Sequence, residues 1–370
     1  MTSSCLQLTL RPLLILAAAT AHSATLPLSY VSCTSVGPHT LISSTNSPRL
    51  GSWRRILRVG RGMATVSTAM RGGGADGDGG WLPRVVYGTY QVRDGLEECI
   101  HASLQGGIRA IDTASVYRNE ERVAAAIKSS GVRREELFLQ TKLGPSEQGY
   151  EQAKEAIARS LARLDTSYID LYLIHWPGKA KAAPDAGEHE EGRHGSWRAL
   201  EEAKASGVLR HIGVSNFNSR QLERLAAVAT VVPEVNQVEL HPYFPQDELT
   251  ETCARLGVLL QAYSPLGSPA GAPLLLTDPA ILRLAAALDI SPAAALLRWG
   301  RRRAASLVVR SSNPSRAAEN AATSLRMHAA DAHGRGMPGA HEEEGVFVEV
   351  DALGRGAEGR KFCWDPDAIA

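Results

Sequence analysis

The chain has 370 residues, 44% of them hydrophobic and 21% charged, with a formal net charge of +1. That balance suits a globular protein with a sizeable core, and so small a net charge argues against binding nucleic acid or a membrane surface. The five cysteines, at positions 5, 33, 99, 253 and 363, form no CxxC pair and no metal-ligand spacing, so they read as reduced thiols with no metal site.

The first segment differs in kind from the rest. Met1 to Ala75 contain no Asp, Glu or Lys, while Arg, Ser and Thr recur, which is the composition of a transit peptide. Leu13 to Ala19 followed by AHSA resembles a signal-peptide apolar region and cleavage site, and is too short to span a bilayer. Residues 1–80 therefore read as a targeting leader, disordered or cleaved, with a plastid favoured over a mitochondrion. The alternatives are an ordinary disordered leader, or a start at Met63 or Met70 and a mitochondrial or cytoplasmic protein. GGGADGDGG at 72–80 is a flexible joint; its glycines follow no strand and open no helix, so they make no phosphate-binding loop.

From Trp81 onward, strand and helix alternate. PRVVYGTY is a strand, and Asp94 with Glu97 predicts a capping box for a helix carrying Leu96, Ile100 and Leu104, stopped by Gly106 and Gly107. RAIDTASVYRN contains the second strand with Asp112 at its end, Tyr117 in the following loop, and Asn119 as the cap of the next helix. LFLQTK brings Lys142 to the end of a third strand, ahead of a helix with Ala153, Ile157, Leu161 and Leu164. IDLYLIHWP brings His175 to the end of a fourth. A polar loop over 178–195 leads to a helix from about Trp197. HIGVSNF, EVNQVELHPYF, LLQAYSPLG and SLVVRSS supply strands five to eight. Helices are expected from Ser219, from Asp247 and twice between 278 and 302. HEEGRH has its histidines five apart and does not match HExxH.

Eight such units in about 250 residues argue for a closed (β/α)8 TIM barrel in one domain, over 81–326. No Rossmann fingerprint is present, so any nucleotide binds by another geometry. Taken singly, a Tyr, Lys or His at these places is more often packing or a solvated side chain. As a set, Asp112, Tyr117, Lys142 and His175 fall at the carboxyl ends of successive strands, where a barrel gathers its active site, and they point to acid–base chemistry.

The motifs GTYQV, GGIRAIDTASVYRNE, LFLQTKL, YIDLYLIHWPG, GVLRHIGVSNF, VNQVELHPYF, AYSPLGS and PSRAAEN together resemble the aldo-keto reductase superfamily, in particular its aldose reductase and diketogluconate reductase-like members. The resemblance implies NADPH-dependent reduction of an aldehyde or ketone to an alcohol, on a monomer whose partner is a small carbonyl compound. Tyr117 would be the general acid, helped by the charge of Lys142 because an unperturbed phenol is a sluggish acid. Asp112 would hold Lys142, and His175 would orient the carbonyl. Ser215, Asn216 and Gln237 would meet the nicotinamide carboxamide, and Tyr263 would stack on its ring. Gly88, Thr89, Ser264, Leu266 and Ser268 would also line the cofactor, the last three near the pyrophosphate. Arg310, Ser311 and Arg316 would surround the adenosine 2′-phosphate, with Glu319 and Asn320 on the adenine. Two guanidiniums suit a dianionic phosphate. Tyr90 and Trp176 would line the substrate pocket. Residues 327–370, poorly periodic at first, would form a divergent tail near that pocket. The alternative on the same barrel is a noncatalytic NADPH-sensing or accessory subunit.

Overall fold

The runs VVYG, IDLYLI and SLVV are buried at every residue, as parallel strands covered on both faces must be. The computed structural model describes residues 80–332, 340–355 and 360–363; apart from Gly80, the expected leader lies outside the described residues. Eight parallel strands pair in sequence order: β1 (Val85–Gly88), β2 (Ala110–Asp112), β3 (Phe138–Leu143), β4 (Ile169–Ile174), β5 (Leu209–Ser215), β6 (Val235–Glu239), β7 (Leu259–Tyr263) and β8 (Ser306–Val309). β8 returns to β1 and closes the (β/α)8 barrel. Around it run α1 (Leu96–Gln105), α2 (Glu120–Ser130), α3 (Tyr150–Arg163), α4 (Glu188–Ala205), α5 (Ser219–Val228), α6 (Asp247–Leu256), α7 (Ser268–Leu275), α8 (Pro279–Ala287), α9 (Pro292–Arg303), α10 (Pro314–Ala332) and α11 (Ala340–Ala352). No single described helix is long and apolar enough to cross a membrane, though the bent pair α7 and α8 passes that test by length and composition.

The core lies between the strands and the helices, where Ile100, Val123, Ile157, Leu200, Leu222 and Leu284 point inward from their helices. The floor of the barrel, at the amino ends of the strands, is closed by a second cluster. Trp81 lies flat on the His211 ring with centroids 3.6 Å apart and packs with Leu82, Leu171, Leu173, Val235 and Phe138. His211 is in turn paired with Glu234 at 2.8 Å.

Several local expectations are corrected. Asp94 and Glu97 make no capping box: the residue just ahead of α1 is Gly95, whose φ of 68° is open to glycine, and no side chain caps the helix. Asn119 stands at the amino end of α2 without capping it, because its carboxamide is used elsewhere. α4 begins at Glu188 rather than near Trp197, since the polar residues of that stretch are not loop surface. His189 takes the backbone N–H of Lys179 at 2.9 Å and meets the Ala183 carbonyl at 2.6 Å, and Arg193 donates to Pro177 O. α7 is an additional helix. α10 continues through Met327 to Ala332, and α11 follows, so helix occupies much of the stretch expected to be irregular; residues 333–339 lie outside the described residues.

Candidate active site

Register sets the heights of the catalytic candidates. Asp112 is level with Gly88 on one side and Gln140 on the other, and Lys142 stands one pleat above Gln140 on the same face of β3. Lys142 is fully buried, and its Nζ donates to Asp112 Oδ2 at 2.5 Å, to Thr113 O at 2.9 Å and to the Tyr117 hydroxyl at 3.4 Å. A buried ammonium is tolerable only when paired in this way. His175 follows β4 and places its ring edge-on to Tyr117, with centroids 5.5 Å apart. All four residues therefore meet at the carboxyl rim of the barrel.

Tyr117 ends a single 3-10 turn, Ser115–Tyr117, and that turn is tied down from three directions. Ser115 donates to Glu147 Oε2 at 2.6 Å, and the same carboxylate oxygen accepts from the Gly144 N–H at 2.8 Å. Thr113 donates to Asn119 Oδ1 at 2.7 Å while Asn119 Nδ2 donates to Thr89 O at 3.1 Å. Glu120 accepts from Thr141 at 2.8 Å. Glu147, Thr113 and Glu120 were not singled out in the sequence, and Asn119 only as a helix cap; NE directly after VYR was the available signal.

The electrostatics of this site differ from the expectation for Tyr117. Burial, then the negative charge of Asp112, then Tyr263 and Tyr90, push its hydroxyl well above the ordinary phenol range. Burial lowers the value of Lys142, opposed by the charge of Asp112 and its hydrogen bond. Burial, helped by the Lys142 charge, holds His175 well below the ordinary imidazole range. The site thus holds a protonated phenol beside a neutral imidazole whose buried Nδ1 has no partner.

The aromatic candidates come together. Tyr90 lies 5.0 Å from the Tyr117 ring and Trp176 lies 6.2 Å from His175. Gln148, buried, holds the Trp176 loop by donating to Trp176 O and Gly178 O. Gly88 sits where an added Cβ would meet Val308 at 2.9 Å, and Thr89 donates to Asp112 O at 2.9 Å.

The residues expected to hold nicotinamide already bond one another. Ser215 donates to Gln237 O at 2.8 Å. Asn216, at a φ of 63°, donates to His175 O at 3.0 Å and accepts from the Tyr263 hydroxyl at 2.8 Å. Gln237 Nε2 donates to Asp112 Oδ2 at 3.1 Å and to Gln261 Oε1 at 2.7 Å. Both its N–H bonds are spent, which leaves only Oε1, an acceptor suited to a carboxamide NH2. Across the rim, Tyr87 donates to Ser311 O at 2.7 Å and fixes the loop that precedes α10. Arg310 reaches Gln91 O at 3.3 Å while its buried Nε has no partner. An unspent donor on a cation beside the amino end of a long helix fits an anionic phosphate. Arg316 and Glu319 are exposed on the first turns of α10, with Asn320 half-buried.

The β7 loop meets the tail. Ser264 (φ 51°) and Ser268 (φ 58°) are held in the left-handed region on either side of the half-buried Leu266. Ser264 Oγ lies 3.8 Å from Cys363 Sγ, a thiol that burial pushes up to about 11. Glu239, buried at the end of β6, accepts from the N–H groups of Phe362 at 2.9 Å and Cys363 at 3.1 Å, and the Phe362 ring covers Gly271 of α7. Glu239 was not among the sequence candidates. No group of three or more His, Cys, Asp or Glu able to hold a metal occurs among the described residues.

A sequence model of the aldo/keto reductase family matches residues 77–331. The chain belongs to that family. It is 41% identical over 244 residues to an aldo-keto reductase of Mycolicibacterium smegmatis, covering 66% of this chain and 84% of the relative. It is 40% identical over 242 residues to a glyoxal reductase of Bacillus subtilis, covering 65% and 82%. The crystal structure of an aldo/keto reductase from Brucella melitensis superposes with a TM-score of 0.62 at 36% identity, over 75% of this chain and 96% of that one. Membership makes this reductase an oxidoreductase acting on the carbonyl groups of small molecules.

Proposed function

We propose that this reductase uses NADPH to reduce a small aldehyde or ketone to an alcohol, with Tyr117 as the proton donor. The observation that carries the reading is the chain Asp112–Lys142–Tyr117, at 2.5 and 3.4 Å, beside a neutral His175. Bound NADPH supplies the hydride to the carbonyl carbon. Tyr117 gives its proton to the carbonyl oxygen, which becomes strongly basic as the hydride arrives, so a phenol of raised pKa is still acid enough. Burial keeps the hydroxyl protonated further into the alkaline range than an ordinary phenol. His175, uncharged, points a ring N–H at the same oxygen. Lys142 compensates the charge left on Tyr117, and Asp112 compensates Lys142. Tyr90 and Trp176 wall the carbonyl in.

NADPH is preferred over NADH on the chemistry of Arg310, Ser311 and Arg316. The relative named glyoxal reductase suggests a small dicarbonyl as the first substrate to try. Residues 81–370 are expected to consume NADPH with such a compound, and Arg310→Leu to weaken NADPH at least about tenfold more than NADH. Consumption of no reduced nucleotide with any carbonyl, despite tight binding, would favour a sensing subunit, and equal weakening of both nucleotides would refute the phosphate assignment. We further propose that residues 1–80 deliver the protein to a plastid; a fluorescent fusion of that segment left in the cytosol would refute it.

A further inference from the structure

Beneath the catalytic residues the barrel interior is polar where such interiors are ordinarily filled by branched apolar side chains. Gln140 of β3, Gln237 of β6, Gln261 of β7 and Ser306 of β8 are all buried. Gln140 Nε2 donates to Asp112 Oδ2 at 2.6 Å and to Gln261 Oε1 at 3.0 Å. Gln261 Nε2 donates to Ser306 Oγ at 3.0 Å and to Gln140 Oε1 at 3.3 Å. Ser306 Oγ donates to Pro83 O at 2.6 Å.

The direction of this chain of bonds is forced from its far end. Pro83 offers only a carbonyl there, so Ser306 has to donate to it and has lone pairs left for Gln261 Nε2. Gln261 must then turn its Oε1 toward Gln140 and Gln237, whose amide N–H groups are thereby aimed at Asp112. Reversing Gln140 would bring its oxygen against the Asp112 carboxylate and a second acceptor against Gln261 Oε1. Asp112 Oδ2 consequently meets three donors, from Lys142, Gln140 and Gln237, of which only Lys142 touches Tyr117.

Resting on the reductase reading above, we propose that Gln140 is a positioning residue that, held by Gln261 and Ser306, shares the charge of Asp112 and so sets how firmly Lys142 keeps its proton beside Tyr117. Without the Gln140 N–H, more of that charge falls on Lys142 and Tyr117, and both hold their protons to higher pH. The groups facing Tyr117 are Asp112 from β2, Lys142 from β3, His175 after β4, Tyr263 from β7 and Tyr90 after β1. None of these is altered by replacing Gln140.

The test uses Gln140→Met, which keeps the side chain's length and removes its donors. Two readings are taken: the alkaline limb of kcat/KM, and the 13Cε shift of Lys142 during pH titration of protein carrying labelled lysine. With seven lysines in the chain, a Lys142→Arg sample identifies the signal. Both midpoints are expected to rise by roughly half a pH unit or more. Gln261→Met, which releases Gln140 from behind, is expected to move them the same way by less, and it serves if the first variant does not fold. Midpoints equal to wild type in every folded variant, whatever happens to kcat, would overturn the proposal. A wild-type chain inactive with every carbonyl would defeat the reductase reading, while the Lys142 titration would still decide the role of Gln140.

Discussion

His175 shows what burial does to a single side chain. Its ordinary pKa, about 6.5, would leave it roughly a quarter charged at pH 7, but enclosure and the neighbouring Lys142 charge push it well below that. A group with a depressed basic pKa stays neutral as pH falls through the ordinary value and charges only further down. The profile of kcat/KM is therefore expected to be flat across pH 6.5, with its limb on the alkaline side. An acid limb near 6.5 that disappears in His175→Gln would show that the imidazole titrates and that the environment described for it is wrong. The same enclosure makes Tyr117 a weak acid at rest, so the site's advantage lies in placing a proton donor, rather than in releasing protons to solvent.

One turn of 3-10 helix carries the proton donor, and a turn of three residues has too few bonds of its own to be rigid. Its rigidity comes from neighbours: Glu147 bridges Ser115 to the end of β3, and Asn119 bridges Thr113 to the end of β1. Glu147→Ala removes the first bridge without touching the reacting groups. Since a displacement near 1 Å can cost about a hundredfold in rate, kcat is expected to fall about tenfold or more, with the Kd for NADPH unchanged. An unchanged kcat in a folded variant would mean that the turn is held without Glu147. Asn119 illustrates how an element boundary misleads. An Asn ahead of a helical run is read as a cap, yet this side chain spans two loops, its oxygen accepting from Thr113 and its N–H donating to the Thr89 carbonyl.

At the scale of the whole molecule, the barrel was readable because its strands are buried on both faces and its helices on one, so that burial writes two different periods into the residues. Asp112, Tyr117, Lys142 and His175 stood at strand ends, and the closure of the sheet brings them together. Gln140 and Gln261 escaped notice since a single amide within LFLQTK or LLQAY breaks no period and gains its meaning only from partners more than a hundred residues away. The start of α4 was hidden for a related reason: His189 and Arg193 look like surface and spend their polar atoms on loop carbonyls. The floor of the barrel has a consequence for where the chain can be shortened. Because the indole of Trp81 rests on His211 among the apolar residues of that floor, a truncation that starts at Trp81 keeps the contact and one that starts at Leu82 loses it. The shorter chain would bare those apolar residues to water.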